Sequence, residues 1–277
     1  MKLRGKVAIV TGGSRGIGRA VAEAFCREGA QVAVFARNRR EVAAAVREMK
    51  IISRKMPLGV VCDVSDHASV RRAVRRVAVK FRRLDILVNA AGIQAPIGPF
   101  AGNRMDEWEK NIAVNLFGTA HACHAAIPFM AKRRAGSIIN FSGGGAASAR
   151  PNFSAYAVAK TGVVKFTEVL ADELMPYHIR VNAIAPGAVN TAMLEEVLRA
   201  GRRAGENELG DAKARAKRGG VPPELAAGLA VFLASGASGR LSGRLISAPW
   251  DGWDKWDKRN IKKIMSGDAL KLRRIKA

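Results

Sequence analysis

Lys6-Val-Ala-Ile-Val10, followed by Thr11-Gly-Gly-Ser-Arg-Gly-Ile-Gly18, decides the fold. The first five residues form a short apolar run with β-branched side chains, the pattern of a strand buried on both faces. Glycines stand at 12, 16 and 18, and an alanine-rich amphipathic stretch then runs to about Glu28. A glycine turn between strand and helix lets main-chain N–H groups approach a pyrophosphate, and the helix N-terminus adds favourable partial charge. The spacing is G-x-x-x-G-x-G rather than G-x-G-x-x-G, so the place of the turn at a strand–helix junction carries the reading.

The same alternation continues along the chain. Strand patterns fall at Gln31 to Phe35, Leu58 to Cys62, Leu84 to Val88, Gly136 to Ser142, Arg180 to Ile184 and Arg244 to Ala248. Helical patterns separate them: Asn38 to Lys50, Ser65 to Lys80, a long stretch from Met105 to Lys132 that reads as one helix or two joined ones, a helix ending near Met175, and another from Pro222 and Pro223 to Ala234. Strands alternating with helices predict an α/β fold, a doubly wound parallel sheet of about seven strands in three α/β/α layers, as a single domain. Ligands of such a sheet lie outside the carboxyl ends of the strands. Asp63 and Val64 end the third strand, where Asp63 is a candidate for an adenine edge or, equally, for capping the following helix, with Ser65 and Asp66 as rivals. Asn89-Ala-Ala-Gly92 ends the fourth strand, and its small residues permit a close backbone approach to a ribose.

The end of the second strand bears on the cofactor. A carboxylate there would bind the ribose 2′-hydroxyl of NAD, but the strand ends in Phe35-Ala36-Arg37. Arg37 with Arg15 offers two guanidiniums for a 2′-phosphate, which favours NADP(H) over NAD(H); Arg37 stacked on adenine or facing solvent would leave NAD permitted.

Composition sets the outer bounds. The chain has 277 residues, 48% of them hydrophobic, enough for one large domain. There is no apolar run long enough to span a bilayer and no signal-peptide layout, and Cys26, Cys62 and Cys123 are widely spaced, suiting a reducing cytoplasm and giving no metal site. Lys and Arg number 47 against 23 Asp and Glu, a formal charge of +24. Such a field attracts polyanions, but the charge is spread over many helices and no nucleic-acid motif accompanies it, so a solvated basic surface is expected and no specific nucleic-acid partner.

Ser154-Ala-Tyr156-Ala-Val-Ala-Lys160 places a tyrosine and a lysine one above the other on a helix. A fixed ammonium favours the phenolate and draws the tyrosine pKa toward neutrality, so the pair reads as a proton donor and its tuner.

Taken in order, the glycine turn, Asn89-Ala-Ala-Gly92, Asn115, Ser142, Tyr156-x-x-x-Lys160 and Pro186-Gly187-x-x-x-Thr191 resemble the short-chain dehydrogenase/reductase family over roughly Leu3 to Ala248. The resemblance implies one Rossmann-type domain, residues 1–248, that holds both cofactor and substrate and moves a hydride between nicotinamide and a carbonyl or secondary alcohol. A cofactor-binding regulator with weakened chemistry is the competing reading. By position, the resemblance implies Tyr156 as general acid, Lys160 on the nicotinamide ribose and lowering the Tyr156 pKa, and Asn115 holding a water that relays protons to Lys160. It puts Gly12, Ser14, Arg15, Gly16, Ile17 and Gly18 around the phosphates, Asp63 and Val64 at the adenine, and Asn89, Ala90 and Gly92 at the adenine-side ribose. Pro186, Gly187, Val189 and Thr191 would steady the nicotinamide amide. It also implies a homodimer or homotetramer with the Tyr156 helix and the one before it at the interface.

The chain departs from the family pattern in three places. The family's catalytic serine lies thirteen residues before the tyrosine, which here is Gly143; Ser142 lies fourteen before. Strict strand alternation aims Ser142 away, but Gly143-Gly144-Gly145 can absorb a residue, so Ser142 is assigned as the catalytic serine, with Ser148 and Ser154 as weaker substitutes. Residues 249–277 form an atypical extension carrying Trp250, Trp253 and Trp256. Trp253, Trp256, Asn260 and Ile264 have near-helical spacing, which reads as packing on the domain or a neighbouring subunit, or as a wall of the substrate pocket. Residues 193–220 form the expected substrate lid, helical in parts, with Arg199, Arg202, Arg203, Lys213, Arg215, Lys217 and Arg218. Those charges would suit an anionic substrate, or are a solvated run.

Overall fold

Each central strand has two apolar faces, and each face meets its own helical layer. In a computed structural model, which describes residues 1–53 and 55–274, the strands are β1 (Val7–Thr11), β2 (Gln31–Ala36), β3 (Leu58–Val61), β4 (Ile86–Asn89), β5 (Gly136–Phe141), β6 (Ile179–Ala185) and β7 (Leu245–Ser247). They form one seven-stranded parallel sheet in the order β3-β2-β1-β4-β5-β6-β7. Helices α1 (Gly16–Arg27), α2 (Arg39–Ile52), α3 (His67–Phe81), α4 (Met105–Ile112), α5 (Gly118–Arg133), α6 (Ser154–Glu173), α7 (Ala192–Ala200), α8 (Glu206–Arg218), α9 (Pro223–Ala234) and α10 (Lys258–Met265) complete the chain.

The period-two alternation of strands divides the core. Ala8 and Val10 of β1 pack with Phe25 of α1 and Leu229 and Leu233 of α9. Val7 and Ile9 turn the other way, against Val74 of α3 and Cys123 of α5. Seven parallel strands flanked by helices make this a Rossmann-type fold, as the alternation of patterns predicts.

Strand order reverses direction between β1 and β4, and in open α/β sheets the crevice at such a switch point takes the ligand. Thr11 closes the gap there, its Oγ1 accepting from the N–H groups of Ala90 (3.2 Å) and Ala91 (3.3 Å). Glycine is required beside it: a Cβ at Gly12 would lie 2.8 Å from Ala91, and one at Gly18 would lie 2.4 Å from the Gly12 carbonyl oxygen.

Two stretches differ from the sequence reading in detail. Ala113–Phe117, between α4 and α5, forms a π-helical turn, a wide turn often found at functional positions. Trp253 and Trp256 precede α10 rather than belonging to it: Asp257 caps that helix, accepting from the N–H groups of Arg259 and Asn260, while Asn260 returns a bond to the Asp257 N–H. The extension lies on the domain. Trp253 meets Phe232 of α9 at 5.8 Å between ring centroids and donates to the Ala248 carbonyl, and Ile261 is buried in the core. Arg244 donates to the carbonyls of Ile264 and Gly267, the Leu245 N–H donates to the Leu270 carbonyl (2.8 Å), and the Glu168 carboxylate accepts from the Leu272 N–H and Arg273. Residues 275–277 of that extension lie outside the described residues.

Candidate active site

Tyr156 and Lys160 share one face of α6, with the ammonium 5.6 Å from the centre of the tyrosine ring. Both are buried. Burial pushes the Tyr156 hydroxyl up to about 12, against the pull of the Arg150 cation, and Glu196 pushes it further up. Burial also draws the Lys160 ammonium down to about 8. In the chain by itself, then, desolvation is the largest influence on the tyrosine. Lys160 points toward the end of β5 and donates to the Phe141 carbonyl at 2.9 Å.

Asn115 sits in the π turn, fully buried. Its Nδ2 donates to the carbonyls of Ile93 (2.8 Å) and Asn111 (3.1 Å) and to Asn111 Oδ1 (2.7 Å). Its Oδ1 has no partner among the described residues. That oxygen faces Gly92, where a Cβ would lie 2.7 Å from it, 3.7 Å from Lys160 Nζ and 3.6 Å from the Met193 methyl. Asn111, fully buried, braces the same loop through bonds to the carbonyls of Ile93, Gln94 and Ala95. Sequence reasoning missed it, though two asparagines four apart in an apolar helical stretch were a usable signal.

The end of β5 is where the register question lay. Ser142 is buried, and its hydroxyl lies 3.5 Å from the main-chain carbonyl oxygen of Lys160, with no hydrogen bond to Tyr156. Gly143 faces the tyrosine instead: a Cβ there would stand 2.3 Å from the Tyr156 hydroxyl, so the side chain that strand alternation would aim at the site has no room. Ser154 accepts from Trp108 Nε1 at the start of α6, and Ser148 is exposed.

Arg150 was not foreseen. Its guanidinium lies 3.8 Å from the Phe153 ring and 5.9 Å from the Tyr156 ring. Nε and Nη2 grip Glu208 of α8 at 2.6 and 2.8 Å. With the Gln94 amide oriented so that its oxygen faces Arg150, the assignment its surroundings favour, it accepts from Nη1 and Nη2 at 2.9 and 3.0 Å and donates to the Met193 carbonyl at 3.0 Å. One cation thus joins the loops after β4 and β5 to α7 and α8, and holds the Glu208 carboxyl below its ordinary range. Leu194 and Val197 of α7 and Ala204 and Ala212 beyond it pack with Ile97, Phe153 and Tyr156. The 193–220 segment therefore lies over the tyrosine, while Arg199, Arg202, Arg203, Lys213, Lys217 and Arg218 are exposed.

The remaining expected cofactor residues line the crevice with mixed roles. Among the described residues no side chain caps α1, and its first turn holds no acid, so the N–H groups around Gly16, Ile17 and Gly18 can meet an anion. Arg15 and Arg37 are exposed, and Ser14 is buried, donating to Glu41 at 3.1 Å. Asp63 accepts from Ser65 N–H and Oγ; burial alone would raise its pKa, but these bonds, with Arg37 and Lys110, hold it low, while Asp66 caps α3. Val64 packs against Gly118. The Asn89 amide nitrogen is turned into the sheet, donating to Asn140 Oδ1 (2.9 Å) and toward Cys123, while its Oδ1 is buried with no partner among the described residues. Thr191 caps α7 through Met193 N–H and brings its methyl to 3.4 Å from a Cβ at Gly16. Pro186 and Val189 are buried in that same loop, and Gly187 turns it with a φ of 79°. An uncapped helix N-terminus, the close-packed glycines and the orphaned Asn115 oxygen beside Lys160 fit a bound dinucleotide.

Comparison with known proteins agrees with this geometry. The family model described as short chain dehydrogenase matches residues 6–201. D-threitol dehydrogenase of Mycolicibacterium smegmatis is 38% identical over 245 residues, spanning 87% of this chain and 90% of that protein. The 3-oxoacyl-[acyl-carrier-protein] reductase of Thermotoga maritima is 34% identical, spanning 89% and 97%. Among solved structures, NAD+-bound xylitol dehydrogenase superposes with a TM-score of 0.84 at 27% identity, covering 89% of this chain and 98% of that one.

Proposed function

Because the chain belongs to the short-chain dehydrogenase/reductase family, and so is an NAD(P)-dependent oxidoreductase of alcohol and carbonyl groups, we propose that it interconverts a polyol and the matching hydroxyketone. The observation that carries the chemistry is the Tyr156–Lys160 pair on one face of α6, at the carboxyl end of the sheet. The substrate class is supported by the likeness to D-threitol dehydrogenase and to xylitol dehydrogenase.

When bound, the nicotinamide supplies or accepts the hydride. Tyr156 gives the proton to the substrate oxygen, or takes it in the other direction. Lys160 holds the ribose hydroxyls and lends positive charge. Asn115 presents its free Oδ1 to a water that passes protons to Lys160. Ser142, by its contact with the Lys160 main chain, holds the end of β5 on α6, a role its hydroxyl position supports better than one at the substrate oxygen. Gly12 to Gly18 hold the phosphates, Asp63 and Val64 the adenine side, the backbone of Asn89 to Gly92 the ribose, and Pro186 to Thr191 the nicotinamide end.

Tyr156→Phe tests the reading directly: activity on xylitol and on simple secondary alcohols should fall by about 10²–10⁴-fold with the cofactor still bound. Unchanged turnover would remove Tyr156 from the chemistry.

NADP(H) is the proposed cofactor, supported by Arg15 and Arg37 and by the absence of a carboxylate at the end of β2. Glu41 beside Ser14 is the feature that would favour NAD(H). Comparing kcat/KM for the two cofactors in the wild type and in Arg37→Ala decides between them, since loss of Arg37 should weaken NADP+ alone. An anionic substrate, the other reading of the lid charges, predicts a steep fall of kcat/KM with salt; the exposure of those charges supports a neutral substrate instead. The buried, unpaired Cys26, Cys62 and Cys123 support a cytoplasmic setting. Phe117, in the turn before α5, and Val158 of α6 are exposed apolar residues that support a homodimer or homotetramer, to be read by sedimentation velocity.

A further inference from the structure

Tyr156 has an acidic neighbour that the proposed chemistry leaves unused. Glu196 lies on α7, three residues after Met193, whose methyl reaches the Gly92 crevice. Positions three apart share a helix face, so Glu196 stands on the side turned to the site. The next residue, Val197, packs in the cluster that contains Tyr156 and Phe153. Oε2 of Glu196 is buried and has no hydrogen-bond donor among the described residues.

The two cations placed beside the Tyr156 ring are already engaged. Arg150 spends Nε and Nη2 on Glu208 and turns Nη1 and Nη2 to Gln94. Lys160 donates to the Phe141 carbonyl. A buried carboxylate oxygen without a donor is unfavourable, and the imbalance is relieved when a ligand brings the donor. The donor must be neutral or positive, because an anionic group would meet an uncompensated carboxylate. In a polyol, the hydroxyls flanking the reacting carbon supply neutral donors.

We propose that Glu196 is a specificity-determining residue that accepts hydrogen bonds from substrate hydroxyls adjacent to the one on which Tyr156 acts. This deepens the polyol reading and rests on it. A site built to bond a hydroxyl discriminates strongly against analogues that lack it, because its own polar atom is then left unpaired. Glu196 adds negative charge near Tyr156 and Arg150 positive charge; Lys160 lies 5.6 Å from the tyrosine ring and Glu208 is paired with Arg150.

The test compares xylitol and threitol with 2-butanol and cyclohexanol in the wild type, Glu196→Gln and Glu196→Asp. Glu196→Gln should reduce the ratio of kcat/KM for polyol over monoalcohol at least tenfold, mainly through the polyol KM, and Glu196→Asp should restore part of it. In this oxidation direction Tyr156 takes the proton, so the acidic limb of the variant's pH profile should move to lower pH as the charge beside the tyrosine is lost, while the change in polyol KM against monoalcohol KM is the readout that a purely structural role would not produce. A wild type that prefers polyols and a Gln variant that keeps the same preference would overturn the role of Glu196 alone. A wild type with no preference for polyols would overturn the polyol reading and this inference together.

Discussion

A single hydroxyl separates two accounts of the β5 end. Ser142 leans on the Lys160 carbonyl while Gly143 lies against the Tyr156 hydroxyl. Ser142→Ala is therefore expected to fall well short of the about 10²–10³-fold loss that follows removal of an oxyanion donor; a loss of that size in kcat at unchanged cofactor affinity would return the serine to the substrate. Arg150 makes the second prediction. Its positive charge favours the Tyr156 phenolate, so Arg150→Met disfavours it and raises the tyrosine pKa. The rate limb governed by Tyr156 should move to higher pH, measured from kcat/KM profiles. Tyr156 and Lys160 were legible in the sequence because one helix sets their spacing. Arg150, Gln94 and Glu208 were not, because they meet only through folding, and Glu196 comes near Tyr156 in the same way. Only the placement of Arg150 in a loop otherwise rich in Gly, Ala and Ser could have hinted at it.

Among the elements, α8 is held over the site by the packing of Ala212, by a bond from Asn190 to the Arg215 carbonyl and by one ion pair. The Arg150–Glu208 fork is largely shielded, with side-chain exposures of 15% and 28%, so it is worth more than an open surface pair. Glu208→Gln keeps the Arg150 charge beside Tyr156 while weakening the grip on α8. KM should rise by a factor that corresponds to roughly 1–2 kcal/mol, with little change in the pH profile, and protease should cut the 201–219 segment faster. Unchanged KM and cleavage would mean that packing by Leu194, Val197 and Ala212 suffices. Element types were readable throughout from the periodicity of apolar residues. The π turn at Ala113–Phe117 was not, because an i→i+5 turn uses the same residues as an α-helix and is chosen by what Asn111 and Asn115 bond to. The start of α10 was misplaced because Trp253 and Trp256 mimic helical spacing while Asp257 supplies the actual cap.

For the molecule as a whole, the extension is a structural part of the domain, joined to it through Trp253, Ile261, Arg244 and Glu168. Ile261→Ala should cost about 2–4 kcal/mol, read from the midpoint of denaturant unfolding, because it empties a filled position in the core. A change within error would mean that α10 only rests on the surface. Glu168 adds acid sensitivity: burial would raise its pKa, but bonds from Lys165, Leu272 N–H and Arg273 hold it low. A depressed carboxyl contributes stability above its unfolded pKa that is lost as pH falls through the folded one, so the tail should loosen first in acid. The contact of Leu245 N–H with the Leu270 carbonyl has another effect. An open rim of a parallel sheet is a template on which a second chain can add strands. Here the chain spends its own terminal segment on that rim, so Leu245 is not available to extend the sheet into a neighbouring molecule. Removing the tail would leave, beside a loss of stability, a sticky border from which self-association could propagate.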